Sequence, residues 1–413
     1  MSKSIAASAA TSLKIVRVVA LIFVAALAIA SILAYLANQA APVGGADLYA
    51  GLRRQASFNY YLVWLIVSLI AFLIGLQRRS LLLPLIFLVP VLLEGVAYAS
   101  YFAAHHRPYA PVPPILSTRF DSHPNLIAVP RPGNFGVGIT HDSDERRTTI
   151  NTGKAGDPRL IYVFGGSATY GVGNVDADTW PSRLSAALGP NYAVTNFGVP
   201  AFSSMETMLQ SLFVTRDRPP ACAVYYFGSS DLRNAHVTNL RVDYSDMELP
   251  YVASLLEPGK RHGLLGTYSL FLSFIGSILH PQTAVPPAAG TLDSDPDKRL
   301  MGIFHRNIQL ISLIDEYFGV KPVFVPGVMD YGRLTSDGVG SLPFVKEKDS
   351  RALMDLMNNE MKTAAGEAGA AYVDAALAAG WTDADFIDEA NFSAAGTDKL
   401  AKSIVGDISR LCQ

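Results

Sequence analysis

The sequence Gly165-Gly166-Ser167 carries the strongest chemical signal in this chain. A run of strand-forming residues at 160–164 precedes it, and a helical pattern at 179–188 follows. A serine placed after two glycines at the end of a buried strand exposes its hydroxyl in a crevice. Backbone N–H groups at the following turn can stabilise an anion there. The pattern therefore predicts the position of a nucleophilic serine.

Three further polar segments follow other predicted strands or precede the last helix. They are Asn196–Pro200, Phe227–Asp231 and Phe386–Gly396. In an open parallel sheet, active residues gather at the C-terminal ends of the strands. We therefore expect these segments to meet around Ser167.

The elements that must position these residues alternate between strand and helix from residue 158 onward. The predicted strands are Leu160–Phe164, Tyr192–Phe197, Ala223–Phe227, Pro322–Val325 and Ala371–Val373, and the predicted helices are Thr179–Leu188, Ser204–Arg216, Leu300–Phe318, Ser350–Gly366 and Ala394–Leu411. Apolar strands separated by amphipathic helices indicate a sheet covered on both faces. The predicted fold class is α/β, a three-layer doubly wound arrangement around a parallel five-stranded sheet.

The four segments, in this order, resemble the SGNH/GDSL hydrolase superfamily, in particular its membrane-anchored bacterial branch with Gly-Gly-Ser in place of Gly-Asp-Ser. The resemblance covers residues 158–411 and implies a flavodoxin-like sheet order. It implies a serine nucleophile, an oxyanion hole built from three segments, and an Asp-x-x-His pair before the last helix. Members of the superfamily act as esterases, lipases, deacetylases or acyltransferases.

Carried over by position, the resemblance makes Ser167 the nucleophile, Gly198 an oxyanion-hole glycine and Asp388 the triad carboxylate. Two positions depart from the pattern. Ser230 stands where an oxyanion asparagine is usual, and Asn391 stands where the general base, a histidine, is usual. No metal or other cofactor is expected.

Of the two departures, Asn391 has the larger effect on the expected activity, because a carboxamide cannot accept the proton of a serine hydroxyl. The sequence favours a catalytically impaired domain that serves as a binding or scaffolding subunit of a membrane complex. The alternative is an active esterase, deacetylase or acyltransferase on an O-acylated envelope glycan. His236 is then the candidate substitute base, ahead of His305, and Asn234 could replace the missing oxyanion donor. The competing interpretation of His236 is an exposed loop histidine, and Glu206 is expected to cap its helix.

The region before residue 105 is strongly apolar and predicts three transmembrane helices at about 15–36, 58–76 and 81–104. Each is about 20 residues long, enough to cross roughly 30 Å of hydrocarbon. Basic residues before the first span and at Arg78-Arg79 place the N-terminus in the cytoplasm. The domain after the third span is then periplasmic, and the protein belongs to a bacterial inner membrane.

Glu94 lies near the middle of the third span, where a carboxylate costs several kcal/mol unless it faces other helices. Two interpretations remain open: a hydrogen bond within the helix bundle, or a contact with a membrane-protein partner. Besides that partner, the expected contacts are the lipid bilayer and an acylated glycan. Nucleic acid is excluded, because 33 basic and 35 acidic residues leave the chain near neutrality.

Between the spans and the sheet, residues 105–157 are rich in proline and glycine and predict a linker with one hairpin within 134–151. An insertion at 232–298 separates the third and fourth strands. Its apolar stretch at 264–279 is expected to cap the crevice or to lie against the membrane surface.

The chain has two cysteines, Cys222 and Cys412. Their predicted places at the same end of the sheet allow a bridge in an oxidising compartment. The sequence nevertheless favours two separate buried thiols.

Overall fold

The computed structural model describes residues 119–136, 138–150, 156–237, 240–245, 298–333 and 347–413, with helical positions between 89 and 103 and between 270 and 275. The predicted spans at 15–36 and 58–76, and most of the span at 81–104, lie outside these residues. Within the described part, no helix has the length and apolar character to cross a bilayer. The chain divides into two compact units, residues 1–113 with 258–282, and residues 114–257 with 283–413.

The second unit is built on a five-stranded parallel sheet, which confirms the predicted α/β class. The strands described in this unit are β1 (Phe120–His123), β2 (Ile127–Pro130), β3 (Gly133–Asn134), β4 (Thr140–His141), β5 (Arg159–Gly165), β6 (Tyr192–Asn196), β7 (Cys222–Tyr226), β8 (Lys321–Val325) and β9 (Ala371–Tyr372). The sheet has the order β6-β5-β7-β8-β9. The order reverses between β5 and β7, so the crevice of this fold opens beyond the carboxyl ends of those two strands.

Helices cover both faces of the sheet. They are α1 (Ser167–Tyr170), α2 (Trp180–Leu188), α3 (Ser204–Asp217), α4 (Ser229–Leu232), α5 (Lys298–Tyr317), α6 (Glu347–Glu367) and α7 (Ala394–Leu411). Helices α3, α5 and α6 pack together on one face. Helices α2 and α7 pack on the other. The five longer helices agree with the predicted ranges to within three residues at either end.

The central strand β7 shows why the sheet is buried on both sides. All five of its residues are buried, and successive side chains enter opposite cores. On the α5 face, Tyr225 lies between Phe164 and Phe324, with ring centroids 5.1 and 5.3 Å away. Phe197 continues this aromatic row beyond Phe164 at 5.1 Å. The row runs across β6, β5, β7 and β8 near their carboxyl ends, where the loops of the candidate site begin.

The described part of residues 105–157, expected to be a linker, is packed structure. Strands β1 and β2 form one antiparallel hairpin, and β3 and β4 form a second. The first hairpin buries Phe120 and Ala128 against Tyr170 of α1 and Phe202. The chain that precedes the five-stranded sheet therefore contacts the helix that carries Ser167.

The expectation of two separate thiols is wrong. Cys222, at the start of β7, and Cys412, after α7, form a disulfide with 5.5 Å between their Cα atoms. Both residues are fully buried in the core between the sheet and α7. The two cysteines are 190 residues apart in sequence, and the loop that the bond closes contains the long helices α5, α6 and α7.

Replacing Cys412 by serine is expected to lower the free energy of unfolding by about 2–5 kcal/mol, because the unfolded chain loses a long-loop constraint. Urea denaturation followed by tryptophan fluorescence measures the difference. Adding reductant should bring the wild type to the stability of Cys412→Ser and leave the variant unchanged. Equal stability of the two proteins without reductant would contradict a formed bridge.

Candidate active site

Ser167 is the first residue of α1, immediately beyond the end of β5. Gly165 has φ +151°, and a Cβ there would lie 2.4 Å from the Tyr226 carbonyl oxygen. Gly166 is also confined, since a Cβ would lie 3.0 Å from the Phe202 carbonyl oxygen. Both glycines are thus required for the sharp strand-to-helix turn. Within the described residues, no side chain hydrogen-bonds to the Ser167 hydroxyl.

A small cleft, open to solvent, lies over this turn. Its floor comes from the turns after β5 and β7, including Ser167, Ser229 and Ser230. Its walls are mostly apolar and include Phe202, Phe227, Val328, Met354 and Ala390. The structure therefore brings Ser167 and Ser230 into one cleft, and the last sequence segment reaches it through Ala390.

Asp388 and Asn391 form a hydrogen-bonded pair in the loop before α7. The Asn391 Nδ2 donates to both carboxylate oxygens of Asp388, at 3.1 and 2.9 Å. The backbone N–H groups of Ala390 and Asn391 donate to Asp388 Oδ1 at 3.0 and 2.7 Å. A carboxylate only accepts hydrogen bonds, so the amide nitrogen of Asn391 must face it and the amide Oδ1 must point away. That amide oxygen is buried, without a hydrogen-bond partner in the described part of the chain.

Burial, followed by the nearby negative charge of Glu389, raises the pKa of Asp388, and the hydrogen bonds from Asn391 and Ala390 oppose the rise. Asp388 thus holds the side chain of Asn391 in one orientation. The Asn391 amide has no basic nitrogen, so it can orient a hydroxyl but cannot remove its proton.

The loop that holds this pair is fixed to the turn after α1. Asn174 donates from Nδ2 to the Phe392 carbonyl oxygen at 2.8 Å. A Cβ at Gly173 would lie 2.4 Å from Ile387 Cδ1, so the two loops are in close contact. These contacts bring the last segment to the Ser167 side of the molecule.

The structure argues against Gly198 as an oxyanion donor. Its N–H donates to Asn196 Oδ1 at 2.8 Å, and Asn196 also donates from Nδ2 to the Thr169 carbonyl oxygen at 2.9 Å. A Cβ at Gly198 would lie 2.3 Å from the Tyr170 backbone nitrogen. Gly198 therefore permits close packing of its loop against α1, and its amide is already engaged.

Ala201 in the same loop has a backbone conformation that its residue type does not predict. It is buried and has φ +70°, a left-handed conformation that is uncommon for alanine. Its N–H has no hydrogen-bond partner among the residues that the structure describes. The next residue, Phe202, lines the cleft and contacts the Gly166 turn. This left-handed conformation follows Pro200 and places Phe202 at the cleft.

Ser230 lies in the cleft, and its Oγ would be 3.1 Å from a Cβ on Gly166. Its neighbour Asp231 turns into the core instead. Asp231 accepts hydrogen bonds from the Ser204 N–H and hydroxyl and from Tyr244, and Asn307 donates to the Ser204 hydroxyl. Burial raises the pKa of Asp231 to about 7, against the opposing effect of the Ser204 hydrogen bonds. Asp231 therefore joins helices α3 and α4 and supports the turn below Ser230.

The substitute groups proposed from sequence do not line the cleft. His236 has φ +64° and lies outside the cleft lining. Asn234 is fully buried and donates to the Asp231 carbonyl oxygen at 3.3 Å. His305 contacts Glu360 and Glu367 at 2.5 and 3.0 Å, between α5 and α6. Glu206 caps α3 through Ser203, as expected.

A further buried histidine, His141, contacts the helix of the nucleophile position from behind. Its Nε2 lies 2.8 Å from the Tyr170 hydroxyl, and its Nδ1 lies 2.8 Å from the Arg131 carbonyl oxygen. Burial lowers the pKa of His141 to about 4, so the ring is neutral near pH 7. Arg147 packs over the Tyr170 ring at 4.7 Å and pairs with Asp176 at 2.7 Å. This cluster supports α1 and does not touch Ser167.

Comparison with known proteins gives similarity in structure only. No protein-family profile and no curated protein matches the chain. It is similar to a lipase/acylhydrolase from Enterococcus faecalis, with 16% identity over 61% of this chain and 96% of that one, at TM-score 0.36. It is also similar to a carbohydrate acetylesterase from Sinorhizobium meliloti, with 12% identity over 61% of this chain and 99% of that one, at TM-score 0.37.

A third similar structure is a putative lipolytic protein of the G-D-S-L family from Desulfitobacterium hafniense. It has 11% identity over 61% of this chain and 99% of that one, at TM-score 0.35. Because the TM-scores are this low, the sheet order and the site geometry above carry the interpretation of this chain.

Replacing Gly198 by alanine should lower the free energy of unfolding by about 1–3 kcal/mol, because the new Cβ overlaps backbone that cannot move aside. Gly302→Ala on α5 is the matched control, since nothing lies within 4 Å of a Cβ there. The control should keep or slightly raise stability, because alanine favours helix over glycine. Urea denaturation of both variants measures the contrast, and equal midpoints would contradict the close approach.

Stability should fall as pH rises from about 4 to about 7, because Asp231 and Asp315 both have folded-state pKa values of about 7, above the ordinary aspartate value of 3.8. The folded state holds these protons more tightly, so their contribution is complete below about pH 4 and is lost as pH passes about 7. Thermal denaturation between about pH 4 and 8 measures the slope. Asp231→Asn should reduce it, and an unchanged slope in that variant would exclude Asp231 as a source.

Proposed function

We propose that this chain is a membrane-anchored periplasmic protein whose SGNH-like domain is catalytically impaired. In this proposal it acts in the bacterial cell envelope as a binding or scaffolding subunit of a membrane complex. Three N-terminal transmembrane helices hold the domain at the inner membrane, and the cleft over Ser167 receives a ligand such as an acylated glycan.

The observation that carries the proposal is the Asp388–Asn391 pair. Asn391 makes the hydrogen bonds to Asp388 that a base would make to an orienting carboxylate, yet its amide cannot take a proton from Ser167. In a serine protease, loss of the nucleophile or the base costs about 10⁶-fold in kcat. The histidines in the described part of the chain make no hydrogen bond to Ser167. A serine without a base remains a hydrogen-bonding group for a bound carbonyl or hydroxyl.

The proposed compartment has support from the disulfide and from charge. Disulfides persist in oxidising compartments such as the periplasm, and Cys222 and Cys412 are bonded in the core. The basic residues Lys3, Lys14 and Arg17 before the first predicted span favour a cytoplasmic N-terminus. Three spans then deliver the sheet domain to the periplasm.

An active enzyme is the second candidate, and specific observations favour it. The turn at Gly165-Gly166 keeps Ser167 at the N-terminus of α1 and open to the cleft. The Ser230 hydroxyl lies in the cleft and is a donor available to a developing oxyanion, where one donor is worth about 2.7–4 kcal/mol. Such an enzyme would hydrolyse or transfer an O-acyl group with a base supplied by a partner.

Asn391→His is the direct test of impaired catalysis. The variant should gain reactivity of Ser167 toward a fluorophosphonate probe, because an imidazole hydrogen-bonded to Asp388 supplies the missing base. Fluorescent gel labelling of purified protein measures the gain. The wild type should remain unlabelled under the same conditions.

Two control variants isolate the cause of any labelling. Ser167→Ala in the Asn391→His background should abolish it, and Asp388→Asn in that background should reduce it strongly. Labelling of the wild type that disappears in Ser167→Ala would overturn the impaired-catalysis proposal. In cells, a Ser167→Ala copy should complement a deletion as well as the wild type does if the role is binding or scaffolding.

A further inference from the structure

Glu94 and the insertion are joined by hydrogen bonds within the first structural unit. The N–H groups of Leu270 and Phe271 donate to the two carboxylate oxygens of Glu94, at 2.7 and 3.1 Å. The partners are 176 and 177 residues apart in sequence. Residues 258–282 belong to the same compact unit as residues 1–113, and not to the sheet domain from which they extend.

Residues 270–272 are helical, and the N–H groups of Leu270 and Phe271 donate to Glu94. The first turn of a helix leaves N–H groups without intrahelical partners, and at an exposed surface water or a local Ser, Thr, Asn or Asp satisfies them. In hydrocarbon no water is present, so each such group must find a partner in the protein. A distant glutamate that accepts both amides meets this requirement. The same bonds satisfy the carboxylate, which would otherwise be costly inside a bilayer.

The side chains on both sides of this contact are apolar and exposed. Val89, Leu93 and Val96 on the Glu94 helix are 47, 39 and 65% exposed, and Leu272 is 37% exposed. Residues 264–279 contain no charged residue, and nor do residues 80–93. In water, a protein exposes its polar groups and buries its leucine and valine side chains. Here the carboxylate is surrounded by exposed leucine and valine side chains, so the surrounding medium is better explained as lipid acyl chains.

We propose that the insertion returns to the membrane at residues 270–272, where it is held by Glu94 of the third predicted span. The occupant of the apolar faces around this contact is lipid. The sheet domain then has two connections to the membrane unit: the chain after the third span, and the insertion, which leaves the domain at residue 257 and rejoins it at residue 283. Glu94 serves as an intrachain latch for this second connection.

Cysteine accessibility in detergent-free membrane fragments tests the proposal, with the full-length protein and fragments open to reagent on both faces. The native cysteines are bonded and do not react with maleimide. Leu272→Cys should be protected from a charged maleimide. Tyr317→Cys, on α5 and 84% exposed, should react fully and is the matched control. Both should react fully after denaturation in SDS.

Glu94→Ala in the Leu272→Cys background should raise maleimide reactivity at least several-fold, because two amides lose their acceptor. Glu94→Gln retains an acceptor oxygen and should give a smaller increase. The Cys222–Cys412 bond, seen as a mobility shift on reduction, confirms that the sheet domain of each variant has folded. Reaction of Leu272→Cys as fast as Tyr317→Cys would overturn the membrane location. Unchanged protection in Glu94→Ala would overturn the latch.

Discussion

The pairing of β5 with β7 is the constraint on which the rest of this structure depends. The two strands lie side by side in parallel register, with Phe164 beside Tyr225 and Gly165 beside Tyr226. Since the sheet order reverses here, the connections from β5 and from β7 leave toward opposite faces and open a crevice between them. The turn of Ser167 and the turn of Ser230 are the two sides of that crevice. Gly165 has no room for a side chain, because the Tyr226 carbonyl oxygen occupies the space. The register of β5 with β7 therefore requires a glycine at the turn before Ser167.

The loop before α7 retains the geometry of a catalytic pair while lacking its chemistry. Asp388 accepts four hydrogen bonds. Two come from backbone N–H groups and two from the side-chain amide of Asn391, so the position of Asp388 does not depend on an imidazole. Contacts between this loop and the turn at Gly173 and Asn174 hold it near Ser167. The fold of this loop therefore does not require a histidine at position 391, and the cleft is lined by hydroxyl groups and apolar side chains.

Support for α1 comes from a region that composition alone describes as a linker. Phe120, His141 and Arg147 reach Tyr170 by apolar packing, a hydrogen bond and a cation–π contact. Tyr170 lies in the same turn of helix as Ser167. The segment from Phe120 to Arg147 thus packs against the helix that carries Ser167.

Sequence alone determined the alternation of strands and helices, the turn at Ser167 and the absence of a histidine at position 391. These depend on local residue type and spacing: apolar runs, two glycines before a serine, and side chains that can or cannot accept a proton.

Tertiary structure decided the features that depend on the direction of a group and on the distance between residues. The Gly198 amide points to Asn196 and the Ala201 backbone is left-handed, neither of which residue type reveals. Cys222 and Cys412, 190 residues apart, meet only because α7 packs across β7. The bonds from residues 270 and 271 to Glu94 arise in the same way, since no local pattern specifies which distant carboxylate accepts from these N–H groups.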